Sequence, residues 1–200
     1  MLVRRTPTRA RGRRGMTIVE STLVLAVFLM LLFGLFEYCR FLMVLHVANN
    51  AARDGARYAV VNGTKPSNFD TTDYTDPAGI TFPSIQSYTT ARMGGVDRQI
   101  TGYQVAVYAV DSAGLSQSPP VVRPKTSSAA SPAVYPDPFN PSDPNRVPWN
   151  SATFTERIAV HIRGTYRPIT PLTISTGRNT YALVPDNIPI NVIAMMGSEG

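Results

Sequence analysis

The sequence predicts an α+β fold in which one long N-terminal helix packs on a small antiparallel β-sheet that carries a proline-rich insertion. The helix is indicated by an apolar run, Met16–Phe36, that continues without proline to Tyr58. The sheet is indicated by two segments of alternating polarity, Tyr103–Val110 and Arg157–Tyr166. The insertion, residues 116–150, holds nine of the 17 prolines. Because such a density excludes a helix or a central strand, we expect an exposed segment that is poorly ordered or partly extended.

The net charge of +6 resides at the N-terminus. Six arginines and no acidic residue precede Gly15, whereas the other 13 basic residues balance the 13 acidic ones. A basic surface for nucleic acid would have to belong to the folded domain, so no nucleic-acid partner is predicted. Arginines beside an apolar run are typical of the cytoplasmic end of a membrane span. We therefore expect the N-terminus on the cytoplasmic side of the membrane and the C-terminal domain on the opposite side.

Met16–Phe36 is predicted to be a permanent transmembrane helix. Its 21 residues would extend about 30 Å at ~1.5 Å per residue, which matches the hydrocarbon core. A cleaved secretory signal is the alternative, but its apolar region would be about 7–15 residues long and would end in a small-x-small motif. The residues before Cys39, the only cysteine, form neither that motif nor a lipoprotein cleavage site. We expect Cys39 to be a small apolar residue of the helix.

The helix is predicted to continue beyond the membrane as an extension over residues 37–61. Small residues recur there every three or four positions, and such rows let another backbone approach closely. The pair Val60-Val61 and the turn signal Asn62-Gly63 place the helix end near Val61. The small residues expected to pack against the protein's own domain or a neighbour are Ala48, Ala52, Gly55, Ala56 and Ala59, accompanied by Ala51.

Residues 62–200 are predicted to form a small extracytoplasmic α+β domain. A short helix is expected within Pro83–Met93, closed by Gly94-Gly95. In Arg157–Tyr166 the alternate apolar residues should face inward, which places His161 on the opposite face of the sheet. The expected strands are Tyr103–Val110, Arg157–Tyr166, Tyr181–Val184 and Ile188–Met195.

The sequence contains no motif of an enzyme or a metal site. His46 and His161 are the only histidines, and no His or Cys spacing suits a metal. Residues 70–76 (DTTDYTD) lack the glycine and the terminal glutamate of a calcium-binding loop. A nucleophile elbow and a glycine-rich phosphate loop are also absent from the sequence. We therefore expect no catalytic residue, no metal and no cofactor.

The junction between Gly15 and Met16, together with Glu20, is the predicted functional site. Gly15 has no side chain to obstruct a peptidase at the membrane surface. Glu20 is the only charged residue between Gly15 and Phe36, and an intramembrane carboxylate is costly enough to suggest a function. Cleavage after Gly15 would create an α-ammonium group that Glu20 of a neighbouring subunit could neutralise. The alternative is an uncleaved anchor whose Glu20 lies near the interface.

This junction and the helix after it resemble the TadE family, pseudopilins of the tight-adherence (Flp, type IVc) pilus system. The specific similarity covers about residues 13–59, and a weaker one lies within 157–199. Ser21 and Ala26 stand where that family usually has an aromatic residue and a proline, so we expect a straight helix. The residues that carry the similarity are Arg13-Arg14-Gly15, Val19-Glu20, Leu23-Val24-Leu25, Gly34, Glu37, Arg40 and the run Asn50–Ala59 (NAARDGARYA).

The resemblance implies a minor pseudopilin of the bacterial inner membrane that is not an enzyme. Its basic leader, residues 1–15, would be removed by a prepilin peptidase. Its other partners would be further Tad pseudopilins and pilus assembly proteins. The proline-rich insertion and the tyrosines of the outer domain favour an alternative: a signal-anchored adhesin or binding module that is not processed. An extracytoplasmic hydrolase rests only on the presence of Ser, His and acidic residues.

Overall fold

The computed structural model describes residues 14–110, 122–123, 135–140, 142–152, 156–169, 173–176, 179–182 and 187–197, with the backbone alone at 14–17, 173–176 and 179–182. The chain divides into two compact units between Arg40 and Phe41. Most of the predicted leader, residues 1–13, lies outside the described residues. The same is true of residues 116–121, 124–134 and 141 of the proline-rich insertion.

Helix α1 is one uninterrupted α-helix of 48 residues, Arg14–Val61. Because no proline interrupts this part of the chain, every backbone N–H beyond the first turn can bond within the helix. The helix ends where the sequence predicted. The backbone N–H and the side-chain amide of Asn62 both donate to the carbonyl of Tyr58, over 3.2 and 2.9 Å, and hold the last turn in place.

The C-terminal unit contains a short helix and three small antiparallel sheets. Strands β1 and β2 form one sheet, β3, β4 and β7 form the central sheet in the order β3-β4-β7, and β5 pairs with β6. Together they confirm the predicted α+β class. The elements are β1 (Tyr74–Thr75), β2 (Thr81–Phe82), α2 (Ile85–Arg92), β3 (Ile100–Val110), β4 (Arg157–Tyr166), β5 (Thr173–Thr176), β6 (Asn179–Ala182) and β7 (Ile188–Gly197).

Helix α2 starts and ends on residues suited to those positions. The Ser84 hydroxyl accepts a hydrogen bond from the Ser87 amide and caps the N-terminus. Gly94 and Gly95 follow the helix with φ of +59° and +86°, a conformation that residues with a Cβ rarely adopt. The helix predicted within Pro83–Met93 is therefore confirmed.

The main core lies between α1 and one face of the central sheet. Small residues of α1 are fully buried there, which lets the helix backbone approach larger side chains of the strands. Each such Val or Ile contributes about 1.5–3 kcal/mol when it is fully buried. The buried strand residues of this core are Ile100, Val105, Val107, Ala109, Ile158, Val160, Ile162, Tyr166, Ile190 and Val192.

A second apolar cluster covers the opposite face of the sheet. It consists of Ala106, Tyr108, Val110, Val122 and Ala159, with Phe139, Ile193 and Met195 packed against it. Val122 and Phe139 come from the region that the sequence predicted to be an exposed insertion. The described part of that region therefore supplies apolar cover to the sheet.

Residues 142–152 pack against the turn that follows α1 and form hydrogen bonds and an ion pair with it. Trp149 is only 1% exposed, and its Nε1 donates to the carbonyl of Ser67 over 3.0 Å. Arg146 forms an ion pair with Asp70, and Asn150 Nδ2 donates to the carbonyl of Lys65 over 2.8 Å. The expectation of an exposed segment is therefore wrong here, because one large aromatic side chain and one ion pair outweigh the polar and proline-rich composition.

Candidate functional site: helix α1 and its N-terminal junction

The first part of α1 presents large apolar side chains to its surroundings. Leu31 is 69% exposed and Val24 is 62% exposed. By length and composition, Ile18–Val61 contains a window apolar enough to cross a membrane, and none of that window is buried within the protein. The hydroxyl of Thr22 donates to the carbonyl of Ile18 over 2.8 Å, so this polar group is satisfied without water.

Glu20 lies on this exposed apolar part of α1. Its side chain is exposed, so an atom of another molecule can reach the carboxylate. Gly15 and Met16 lie in the first turn of α1, where the structure describes only the backbone. A peptidase acting after Gly15 would have to unwind this turn, which costs little because terminal turns fray. The role of all three residues in processing and assembly stays a prediction.

The predicted small-residue row lies in the C-terminal unit and is buried there. Ala48, Ala52, Ala56 and Ala59 are each 0% exposed, and Gly55 is buried as well. These residues belong to the main core with the strands of the central sheet. Of the two expected partners, the protein's own domain is therefore the one that covers this row.

Gly55 allows a close approach of α1 to α2. A Cβ added at Gly55 would lie 3.3 Å from Thr89 Cβ and still closer to Thr89 Oγ1. Thr89 is 0% exposed, and its hydroxyl is held by a 2.7 Å hydrogen bond to the carbonyl of Ile85. The absence of a side chain at Gly55 is therefore required by the packing of two helices.

Polar residues of the same segment also contact α2. The carboxylate of Asp54 lies 3.8 Å from Arg92, and the ring of Tyr58 stacks on Tyr88 with centroids 4.1 Å apart. The Tyr58 hydroxyl donates to the carbonyl of Pro83 over 2.9 Å. Partial burial raises the pKa of Tyr58, with smaller contributions from Tyr88 and Asp73. The run Asn50–Ala59 thus holds α2 with its polar residues and faces the core with its small ones.

The three aspartates of residues 70–76 each have a different structural partner. Asp70 pairs with Arg146, Asp73 accepts from the Ser84 amide over 2.7 Å, and Asp76 accepts from the Ile80 amide over 2.8 Å. Within the described part of the chain, no three His, Cys, Asp or Glu side chains are grouped to hold a metal. These carboxylates therefore stabilise the loop around β1 and β2.

His161 is buried, which the sequence pattern did not reveal. It lies on the face opposite α1, as predicted, but it is only 8% exposed because the ring of Phe139 packs 4.6 Å from it, centroid to centroid. His161 Nε2 contacts Asn191 Oδ1, and Nδ1 lies 3.4 Å from the Tyr108 hydroxyl. Burial is the main cause that lowers the pKa of His161; Asn191 opposes it, and the Arg163 charge adds to it. The only indication of this burial in the sequence is Phe139, an isolated aromatic residue among prolines.

Among the residues that the structure describes, these observations define one candidate membrane span whose helix continues into a small α+β domain. Residues 15–57 match a family model described as TadE-like protein. The resemblance drawn from the sequence is thus confirmed, and this segment of the chain is TadE-like. Searches of curated proteins and of solved structures gave no match.

Proposed function

We propose that the protein is a TadE-like minor pseudopilin that takes part in the assembly of a tight-adherence pilus or a related secretion apparatus. It is anchored in the bacterial inner membrane with its C-terminal domain outside the cytoplasm. A prepilin peptidase removes residues 1–15. The observation that carries the proposal is the TadE-like match over residues 15–57, because that segment contains Gly15, Glu20 and most of the small-residue row.

The energetics of α1 support anchoring in spite of the charge on Glu20. A carboxylate costs about 2.5–3.5 kcal/mol at the centre of a bilayer on insertion scales. On the same scale, one Leu, Ile, Val or Phe contributes about 0.3–0.6 kcal/mol. Exposed side chains of these types recur from Leu23 to Phe36, so about seven of them offset the carboxylate.

Glu20 has a direct role in assembly under this proposal. After cleavage, Met16 carries an α-ammonium group, and Glu20 is the only acidic residue of the apolar run. Two opposite charges 4 Å apart attract by about 4 kcal/mol at an effective dielectric constant of 20. Pairing between neighbouring subunits therefore stabilises their contact and lowers the cost of both charges in lipid.

The mature N-terminus tests the processing step. The full chain is expressed in bacteria with and without a prepilin peptidase, and the membrane-extracted protein is analysed by intact mass and N-terminal sequencing. We expect a chain that begins at Met16 only when the peptidase is present. Gly15→Val should block cleavage, whereas Gly12→Val, the same change elsewhere in the leader, should not. An intact N-terminus in the presence of the peptidase would sink the proposal.

Glu20→Gln tests the assembly step, since it removes the charge and keeps the shape of the side chain. We expect normal cleavage and membrane insertion but no pili on the cells in electron micrographs. Asp97→Asn removes a carboxylate in the same way outside α1, so it serves as the control and should leave pili unaffected. Normal pili with Glu20→Gln, together with an uncleaved chain, would favour the signal-anchored adhesin instead.

A further inference from the structure

One edge of the central sheet is closed by hydrogen bonds from other parts of the chain. Strand β3 forms this edge, and three of its carbonyl groups, at alternate residues, point away from β4. Each accepts a hydrogen bond, so another strand cannot pair there without displacing these donors. The bonds run from Gln86 Nε2 to Val105 O (2.8 Å), from Arg146 Nη2 to Val107 O (3.4 Å) and from Arg123 N to Ala109 O (2.7 Å).

Within the described part of the chain, no strand pairs with the opposite edge, which is formed by β7. Backbone groups alternate in direction along an antiparallel strand, and Ile162 pairs with Val192 on the side of β4 that faces β7. The outward groups of β7 therefore belong to Asn191, Ile193 and Met195. Among the described residues, none of these three backbone groups has a hydrogen-bond partner. No residue of Ile188–Gly197 is charged, so the edge lacks the charges that usually prevent strand addition.

The described chain also contains a two-stranded hairpin, β5–β6, that is not part of a larger sheet. Strands β5 and β6 pair with each other and with no other strand of the described chain. An isolated two-stranded hairpin is at best marginally stable in water and needs a third strand or a packing surface. Neither Thr173–Thr176 nor Asn179–Ala182 contains a charged residue. Pairing of either strand with β7 would therefore bury no charge.

We propose that the β5–β6 hairpin of one copy of this chain adds to the β7 edge of a neighbouring copy. Only an extended backbone supplies donors and acceptors at the spacing of alternate β7 residues, about 6.8 Å. The two strands of the hairpin are extended and uncharged, and they pair with no other strand in the described chain. Each backbone hydrogen bond that the hairpin adds at this edge stabilises the contact. This contact goes beyond the proposed function and does not require cleavage after Gly15.

The proposed contact joins two different surfaces, so it is heterologous. Such contacts repeat from copy to copy without closing on themselves unless their rotation forms a ring. A β7–β7 pairing would instead use the same edge twice and stop at a dimer. Docking of the hairpin on β7 of its own chain would give no contact between copies at all. The size of the cross-linked products therefore separates the three arrangements.

Cysteine cross-linking of the full chain in detergent micelles tests the proposal. Cys39→Ser removes the native thiol, Ile193→Cys labels β7, and Ser175→Cys or Thr180→Cys labels the hairpin. With a short bis-maleimide reagent, we expect one of the two double-cysteine variants to give a ladder of dimers, trimers and larger products. Single-cysteine variants should remain monomeric. A ladder absent from both double variants, a dimer with Ile193→Cys alone, or a cross-link only within one chain would each overturn the proposal.

A change at Met195 tests whether the β7 backbone makes the contact. Met195→Pro removes an outward N–H group and is compatible with an edge strand, and Met195→Lys adds a charge without altering the backbone. Both should abolish the ladder while Trp149 fluorescence shows a folded domain. As a matched control at the other edge, Gln86→Ala should keep the ladder. Persistence of the ladder in both Met195 variants would refute pairing at this edge.

Discussion

A single methyl group at Gly55 should destabilise the domain although it favours the helix. In Gly55→Ala, the new Cβ would lie 3.3 Å from Thr89 Cβ and 3.4 Å from Thr89 Cγ2, with Oγ1 closer still. Thr89 is fully buried and cannot move towards solvent. To make room, its side chain has to rotate away from the 2.7 Å hydrogen bond to Ile85.

The expected loss in the free energy of unfolding is about 2 kcal/mol. Overpacking of a buried site costs about 1–3 kcal/mol, and the lost hydrogen bond of Thr89 costs a further 0.5–1.5 kcal/mol or so. Replacing glycine by alanine inside a helix returns about 1 kcal/mol. The two destabilising contributions together exceed this gain, so the substitution should lower the free energy of unfolding. Gly55→Leu has three more carbon atoms to place and should be destabilised further.

Urea unfolding of the full chain in detergent micelles measures this loss. Trp149 is the only tryptophan and is 1% exposed, so its fluorescence reports unfolding of the domain. Gly34→Ala is the matched control, because a Cβ at Gly34 meets no atom within 4 Å. It adds the same methyl group to the same helix without a packing cost, so it should not lower the urea midpoint.

A double-mutant cycle identifies the cause of the loss. Thr89→Ala removes Oγ1 and Cγ2, which are two of the three atoms that the new methyl group would meet. Combined with Gly55→Ala, it should restore about 1–2 kcal/mol relative to the sum of the single effects, since directly contacting residues couple by such amounts. If Gly55→Ala is as stable as the native chain and the coupling is zero, the close approach of α1 and α2 does not constrain Gly55.

Three further predictions use the same urea assay. Asp70→Asn should cost about 3 kcal/mol because it leaves the Arg146 guanidinium without its carboxylate, and adding Arg146→Met should recover part of this. Burial lowers the pKa of His161 below 6.5, so the unfolded chain takes up the proton at a higher pH than the folded chain does. Stability should therefore fall as the pH drops below about 6.5. His161→Gln should lack this loss of stability at low pH. Burial raises the pKa of Tyr108 to about 12, so stability should fall as the pH rises above about 10, and Tyr108→Phe should remove that loss.

Local patterns were sufficient to predict the main elements. The alternation in Arg157–Tyr166 predicted a strand with the observed bounds. When one face of a sheet is buried, only one alignment of an alternating segment places all its apolar residues on that face. The two glycines after α2 marked its C-terminal end. The end of α1 near Val61 followed from β-branched residues and a turn signal. Each of these signals lies within a few residues of the feature that it predicts.

Contacts between distant residues were not predictable from local patterns. Arg146 pairs with Asp70, 76 positions earlier in the chain, and Trp149 is buried against the turn at Ser67. Nothing near these residues in the sequence specifies the partner. The same holds for Gly55, whose small size was noticed but whose partner, Thr89 of α2, required the tertiary structure. Proline density likewise excluded regular elements but could not show which aromatic side chains are buried.

The two parts of α1 differ in the size of their side chains because they meet different surroundings. Large apolar residues are exposed from Ile18 to Phe36, whereas alanines are buried from Ala48 to Ala59. In lipid, large side chains gain transfer free energy, while next to a sheet small ones allow the backbones to approach. The TadE-like match ends at residue 57 and contains none of the central sheet. If α1 alone is sufficient for assembly, Met195→Lys should leave pili intact and Glu20→Gln should abolish them. If the β7 edge of the central sheet is also required, either substitution alone should abolish them.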